Sequence, residues 1–111
     1  MNKQCYVYFI RGGDKKHSPL KIGITHDLSK RIKQMQVGSP KILKLQFAII
    51  FDDKDVARRV EKIIHEMLKS RNTHGEWFTC GVKTQSILRK LEPYIADYVT
   101  KNSKSPVIYG I

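Results

Sequence analysis

The sequence predicts a small α+β domain with a mainly antiparallel sheet. Predicted elements follow the order β-β-α-β-α-(β)-α, and the first two strands are close enough to form a hairpin. Apolar residues recur at helical spacing in the segments between later strands. A chain of 111 residues is long enough for one domain with a single modest core. We therefore expect one domain over residues 1–99, followed by a loosely ordered or docked tail at 100–111.

The first two strands are indicated by short runs of β-branched, aromatic and aliphatic residues. Residues 5–10 read Cys-Tyr-Val-Tyr-Phe-Ile, and residues 20–24 read Leu-Lys-Ile-Gly-Ile. The segment between them is rich in Gly, Lys, Asp, Ser and Pro, which is typical of a turn. This pattern predicts a hairpin with a long basic loop.

A first helix should follow the hairpin. Leu28, Ile32 and Met35 fall at positions i, i+4 and i+7, so they form one apolar stripe. Thr25 is the predicted N-cap, and Asp27 would lie favourably in the first turn. A Gly-Ser-Pro sequence after the stripe is expected to end the helix.

The third strand and the main helix are the next predicted elements. Residues 43–51 begin with strict alternation and end in a continuous apolar run, which is typical of a strand in the middle of a sheet. Residues 52–55 place three aspartates at the positive end of the following helix. The apolar stripe of that helix consists of Val56, Val60, Ile63, Ile64 and Met67.

The last third of the chain predicts a short extended segment and a final helix. Residues 76–80 form the extended segment, in which Trp77 and Phe78 are expected to close the core. Pro93 lies inside the last helical pattern and is expected to kink or restart it. The stripe of that helix consists of Leu88, Leu91, Ile95 and Tyr98.

The charge of the chain predicts a polyanionic partner. Twenty-one Lys and Arg against ten Asp and Glu give a net charge of +11, which attracts nucleic acid through its phosphates. Charge alone also leaves an acidic protein or acidic lipid open. No apolar run approaches the roughly 20 residues of a membrane span, and no secretory signal is expected. Cys5 and Cys80 belong to no metal-binding pair, so we expect a reduced, cytoplasmic setting without a membrane partner.

Three polar residues border or interrupt the apolar patterns. Tyr8 lies within the first strand, Arg31 beside the stripe of the first helix, and Glu61 beside that of the main helix. Together they would suit phosphodiester cleavage: the carboxylate holds a divalent cation, the arginine offsets phosphate charge, and the tyrosine orients or activates water. Lys21, in the second strand, would add a positive charge near the phosphate.

Taken singly, these residues have simpler interpretations. Tyr8 would be an ordinary sheet residue with its hydroxyl at the surface, and Arg31 one of many solvated cations. Glu61 could pair with Arg58, a contact that contributes only about 0.3–0.5 kcal/mol. His65 lies one turn after Glu61 and is either a hydrogen-bonded polar residue or a metal ligand. Spacing alone does not decide among these interpretations.

Several short motifs, in the same order and spacing, resemble the GIY-YIG endonuclease superfamily. The likeness spans about residues 5–80 and is strongest to a phage-type branch, usually labelled a DNA-binding domain, whose second motif is KIG. The matching pieces are YVYFI at 6–10, KIGIT at 21–25, Lys30-Arg31, RVEKIIH at 59–65 and GEWF at 75–78. The resemblance implies a three-stranded antiparallel sheet flanked by helices. It also matches Tyr8, Arg31 and Glu61 to the first-motif tyrosine, the arginine and the metal-binding glutamate.

The chain departs from the nuclease pattern at three places. Lys21 stands where the nucleases have their second-motif tyrosine, and Met35 stands where they have a histidine. The asparagine found late in many members has no clear counterpart. Lys21 could hold the phosphate or act as a base if its pKa is depressed. Equally, the substitution could mean that cleavage is lost while phosphate binding survives.

The sequence and its resemblance to the family thus predict a nucleic-acid-binding protein of phage or prophage origin. We expect it to be a divalent-metal-dependent DNA endonuclease. Its expected catalytic residues are Tyr8, Lys21, Arg31 and Glu61, with Glu61 holding one Mg²⁺ or Mn²⁺ ion. Secondary candidates for the site are Tyr6 and His65. Expected contacts to nucleic acid come from Lys15, Lys16, Lys30, Arg31, Lys33 and Lys41.

Two alternatives stay open: a non-catalytic DNA-binding module of the same fold, and a phage-encoded factor that binds an acidic protein. DNA is favoured over RNA as the nucleic acid. A homodimer would offer a route to cutting both strands.

Overall fold

Six strands and three α-helices make up the part of the chain that the structure describes. This computed structural model describes residues 4–13, 18–78, 84–102 and 107–109. The elements are β1 (Cys5–Gly12), β2 (Leu20–Thr25), α1 (Leu28–Val37), β3 (Leu43–Phe51), α2 (Lys54–Met67), a 3₁₀ turn (Lys69–Arg71), β4 (Asn72–His74), β5 (Trp77–Phe78), α3 (Thr84–Asn102) and β6 (Val107–Tyr109). The predicted α+β class is confirmed.

The strands form one antiparallel sheet in the order β4-β5-β2-β1-β3-β6. The three predicted strands β2, β1 and β3 lie next to one another at its centre, as expected, and short strands extend the sheet on both sides. β5 pairs with the free edge of β2, β4 pairs with β5, and β6 pairs with β3. β5 lies within the extended segment predicted at residues 76–80. β4 and β6 have three residues each, which is too short for an alternating pattern to reveal them.

The two faces of the sheet carry separate apolar clusters. Val7 and Phe9 of β1 belong to the larger cluster, where the rings of Phe9 and Phe47 stack with centroids 4.0 Å apart. Tyr8 and Ile10 belong to the smaller cluster on the other face. The larger cluster receives α2 through Ala57, Val60 and Ile64. The smaller one receives α1 through Leu28, Ile32 and Met35. Helices α1 and α2 therefore lie on opposite faces of the sheet.

The N-cap of α2 agrees with the prediction from the sequence, whereas the N-cap of α1 differs from it. Asp53 caps α2 as expected, because its side chain accepts a hydrogen bond from Asp55 N at 2.8 Å. For α1 the predicted N-cap Thr25 was wrong. Asp27 has the extended backbone of a cap and accepts from Lys30 N at 3.0 Å. Thr25 Oγ1 instead accepts a hydrogen bond from Asp27 N.

Helix α3 continues through Pro93, so of the two expected effects, a kink or a restart, the restart does not occur. Leu91 is buried in the larger cluster and Ile95 packs against it, and these contacts hold both halves of the helix on the sheet. α3 reaches Asn102, beyond the predicted domain end at residue 99. No helix in the described ranges is both long and apolar enough to cross a bilayer.

Candidate functional site

The candidate site is centred on Gly23, the glycine of the Lys21-Ile22-Gly23 run in β2. Gly23 pairs directly with Tyr8 across β1 and β2. The fully buried Tyr8 side chain lies against it. A Cβ at position 23 would collide with the Tyr8 ring and hydroxyl and with the Glu76 carboxylate. Glycine is therefore required because two polar side chains meet where a side chain would otherwise be.

Glu76 enters the site from the turn between β4 and β5. Its Oε2 accepts a hydrogen bond from the Tyr8 hydroxyl at 3.3 Å. Its backbone carbonyl accepts from Ile22 N at 3.1 Å, which fixes the turn on the edge of β2. Gly75 has φ +53°, a left-handed conformation that glycine adopts readily. Glu76 was not among the site residues predicted from the sequence. Its position in the GEWF motif, after a turn glycine, was the available signal.

Arg31 approaches the same point from α1, on the face that carries Tyr8. Its guanidinium hydrogen-bonds the Tyr8 hydroxyl, and this contact raises the pKa of Arg31. Burial raises the pKa of the Tyr8 hydroxyl, although the hydrogen bond from Arg31 opposes that shift. Arg31, Tyr8 and Glu76 thus form one connected polar group. Within the described ranges, Arg31 Nε is the buried side-chain polar atom that has no hydrogen-bond partner.

The simple interpretation of Tyr8, with its hydroxyl at the surface, was wrong. Tyr8 is 0% exposed because α1 covers this part of the sheet. With a raised pKa its hydroxyl is protonated at neutral pH, so it donates a hydrogen bond to Glu76. This geometry favours a positioning role over a role as base.

Glu61 and His65 lie on α2, which packs against the opposite face. Burial is the main cause of the raised pKa of Glu61, and repulsion from Glu76 raises it further. The attraction of His65 and Arg58 opposes these effects. Glu61 is therefore in electrostatic contact with Glu76, although it comes from the helix opposite Tyr8 and Arg31.

His65 is a hydrogen-bonded residue of the β2 edge. Its Nε2 lies 2.9 Å from the carbonyl oxygen of Ile22. Because a carbonyl only accepts, Nε2 must be the donor, which leaves only Nδ1 for any further ligand. The ring also stands edge-on to Phe78, with centroids 4.9 Å apart. These contacts support the structural interpretation of His65.

Lys21 and Trp77 pack together beside the polar group. Lys21 lies two residues before Gly23 on the same side of β2, and its Nζ is 5.4 Å from the centroid of the Trp77 ring. This is a cation–π distance. The indole covers Gly12, where a Cβ would come within 3.0 Å of two ring atoms. Trp77 is only partly buried and packs on the smaller cluster, while Phe78 is fully buried in the larger one.

The remaining candidate residues occupy the surface around α1. Lys30, Lys33 and Lys41 are exposed, as phosphate-contacting lysines must be. Tyr6 lies apart from the polar group, where it lines a groove of about 460 Å³ with Leu28 and other residues at the start of α1. Lys15 and Lys16 lie outside the described residues.

Glu61 and Glu76 are two described carboxylates that influence each other electrostatically. Among the described residues, no group of three or more Asp, Glu, His or Cys side chains is placed to enclose a metal ion. Mg²⁺ is commonly held by one or two carboxylates together with water and substrate phosphate. Two carboxylates whose repulsion raises the pKa of one of them fit that donor set.

Comparison with known proteins identifies the family of this chain. The profile of the T5orf172 domain matches residues 5–91, from the start of β1 to the middle of α3. No curated protein matches significantly, and neither does any solved structure. The matched domain is phage-associated and nucleic-acid-related, in agreement with the basic charge. This match covers most of the sequence, including every residue of the candidate site, and the chain therefore belongs to the T5orf172 domain family.

Proposed function

We propose that this protein binds DNA and hydrolyses its phosphodiester backbone with a divalent metal ion, in the manner of GIY-YIG endonucleases. It would do so as a phage or prophage protein in the cytoplasm of a bacterial host. The observation that carries the proposal is the convergence of Arg31, Tyr8 and Glu76 on Gly23. The net charge of +11 supports DNA as the partner.

Glu61 and Glu76 would hold one Mg²⁺ or Mn²⁺ ion. When bound, such an ion polarises a phosphate oxygen and lowers the pKa of bound water. It would also offset the repulsion between the two carboxylates. Without a cation, their negative charge would repel the phosphate.

Arg31 would stabilise the negative charge that develops on the phosphate during cleavage. The Tyr8 hydroxyl would hold the Arg31 guanidinium and the Glu76 carboxylate in their orientations. Lys21 would bind phosphate as a point charge, with its chain supported by Trp77. A buried N–H without a partner costs about 1–3 kcal/mol. The position of Arg31 Nε is therefore better explained by function than by stability.

One observation favours a second candidate, a DNA-binding protein without nuclease activity. Tyr8 is enclosed and its pKa is raised, and Lys21 rests on Trp77 in place of the second tyrosine of the nucleases. Neither residue is an evident base for activating water. In this alternative Arg31 and the surrounding lysines would bind phosphate, and Glu76 would serve to orient Arg31.

A cleavage assay on supercoiled plasmid tests the proposal. We expect nicking that requires Mg²⁺ or Mn²⁺ and falls by about 10²- to 10³-fold in Arg31→Ala. Glu61→Gln should abolish it at unchanged DNA affinity. Matched controls are Arg89→Ala and Glu92→Gln, which change exposed residues of α3 and should cut like the wild type.

Two results would replace the nuclease proposal. If pure protein binds DNA but leaves plasmid, single-stranded and branched DNA intact at pH 6–9 with either metal, the non-catalytic alternative holds. If binding to DNA is absent or does not weaken with salt, the acidic-protein alternative gains support. Phosphate contacts make DNA binding strongly salt-dependent.

A further inference from the structure

Two large apolar side chains are largely exposed at the C-terminal end of α1 and in the turn that follows it. Val37, the last residue of the helix, is 91% exposed, and Ile42, just before the buried start of β3, is 69% exposed. We refer to Val37 and Ile42 as the apolar tip. Exposed aliphatic residues scattered singly need no explanation, but this pair occupies the two sides of one short turn.

Hydrogen bonds hold the backbone of this turn in place. Gln36 Nε2 donates to the carbonyl of Lys41 at 2.9 Å, and Gln36 Oε1 accepts from Leu43 N, also at 2.9 Å. One side chain thus fixes the peptide groups on both sides of Ile42. Ser39 Oγ adds contacts to Lys41 N and O at 3.2 and 3.0 Å. The hydrogen-bonded backbone of the turn therefore holds the Ile42 side chain in its exposed position.

The segment that carries the apolar tip has positively charged side chains and no negatively charged ones. Between Leu28 and Phe51 the sequence has no Asp or Glu. Its exposed lysines include Lys30 and Lys33 on α1, Lys41 in the turn and Lys44 in β3. On the helix, Lys30, Lys33 and Val37 follow at i, i+3 and i+7, so they share one outward stripe. If a polyanion bound to the lysines of this stripe, the interior of the polyanion would lie next to the apolar tip.

We infer that the apolar tip is a wedge that inserts between base pairs of duplex DNA from the minor groove, while the flanking lysines bind the phosphates. Apolar side chains on a basic surface act in this way in minor-groove proteins, where they unstack a base step and kink the duplex. Two aliphatic side chains are enough for one base step. They are too few to bury the apolar face that membrane-surface helices require. An acidic protein would form ion pairs with the lysines, but it has no stacked bases between which the apolar tip would insert.

This inference rests on the DNA-binding part of the proposed function and extends it to the kind of substrate. Arg31 and Val37 are six positions apart on α1, which is about 9 Å along the helix axis. That length corresponds to roughly three base-pair steps. With the duplex axis along α1, the wedge would open the duplex about three steps from the phosphate at Arg31. The preferred substrate would be DNA with an easily unstacked step, such as a mismatch, a branch or a pyrimidine–purine step.

A duplex carrying 2-aminopurine at one step, with a fluorophore pair at its ends, tests the inference without any metal. We expect wild-type protein to increase 2-aminopurine fluorescence and to shorten the end-to-end distance. The double variant Val37→Ser/Ile42→Ser should lose both signals and bind about tenfold more weakly. The salt slope should stay unchanged in this variant, since the phosphate contacts remain.

Two further variants separate the wedge from the charge. Lys41→Gln/Lys44→Gln should lower the salt slope by about two while the fluorescence increase is retained. Tyr94→Ser removes the exposed aromatic residue of α3 and should match the wild type in every signal. Thermal unfolding of each variant establishes that it is folded.

The inference is overturned if the Val37→Ser/Ile42→Ser variant unstacks and bends DNA like the wild type. It is also overturned if wild-type protein gives neither signal, or if the tip substitutions weaken binding to acidic vesicles but not to DNA. Failure of the proposed nuclease function would look different. In that case the fluorescence and bending signals persist while no metal produces cleavage.

Discussion

The Tyr8 hydroxyl donates a hydrogen bond to Glu76 Oε2 at 3.3 Å and so joins residues 68 positions apart. Tyr8 lies in β1, in the middle of the sheet, and Glu76 lies in the turn between β4 and β5. Arg31 binds the same hydroxyl from α1. Tyr8 therefore connects the three parts of the chain that meet at Gly23.

Removing the Tyr8 hydroxyl tests whether it positions its partners. We expect Tyr8→Phe to lower the free energy of unfolding by about 0.5–1.5 kcal/mol in urea titration, because Arg31 and Glu76 lose a shared partner. Cleavage should fall only moderately and should be no worse in Tyr8→Phe/Glu76→Gln than in Glu76→Gln. The exposed Tyr94→Phe is the control. Independent losses that add in the double variant would contradict a shared role.

Gly23 is the glycine against which the side chains of the candidate site pack. Gly23→Ala should lower the free energy of unfolding by about 1–3 kcal/mol, because the new Cβ displaces Tyr8 and Glu76. Metal-dependent cleavage should fall with it, since Arg31 loses its support. Gly38→Ala is the matched control, because its nearest neighbour would be Met35 O at 3.9 Å. Equal urea midpoints for the two variants would show that the site tolerates a side chain.

Glu61 should make the protein less stable as pH rises. Its pKa is higher in the folded state than in the unfolded chain, so between these two values the folded state binds more protons. Stability then falls with rising pH through this window and stays lower above the folded pKa. Glu61→Gln removes that cost, so its melting temperature should exceed the wild-type value at pH 7.5 and match it near pH 3.5.

A bound divalent metal ion should reverse this order, so that the melting temperature of the wild type exceeds that of Glu61→Gln. A divalent ion that binds Glu61 stabilises the folded wild type by mass action and leaves Glu61→Gln unaffected. Thermal unfolding with and without Mn²⁺ measures both effects, and Glu92→Gln should follow the wild type throughout. An equal Mn²⁺ stabilisation of Glu61→Gln would remove Glu61 as a ligand.

His65 should contribute to stability and not to metal binding. His65→Leu leaves the carbonyl of Ile22 without its side-chain donor, and we expect a loss of about 1–3 kcal/mol in the free energy of unfolding. Calorimetric titration with Mn²⁺ should give the wild-type affinity, since Nε2 is engaged with that carbonyl. A variant that stays folded but binds Mn²⁺ more weakly would make His65 a ligand.

Local patterns in the sequence determined the three central strands, the three helices and the positive charge. They did so because alternation and helical spacing record which side of each element is buried. The same patterns brought Arg31 and Tyr8 to attention as polar residues beside apolar stripes. Short elements carry too few residues for such a record, which is why β4 and β6 were not expected as strands of the sheet.

Only the tertiary structure decided which residues meet at Gly23. Glu76 reaches Tyr8 because β5 pairs with the edge of β2, and such a pairing depends on contacts between distant segments. Burial of Tyr8 likewise depends on α1 covering that face, and the placement of Glu61 depends on α2 packing on the opposite one. Side-chain spacing within one element cannot report these relations, because they arise from how the elements pack on the sheet.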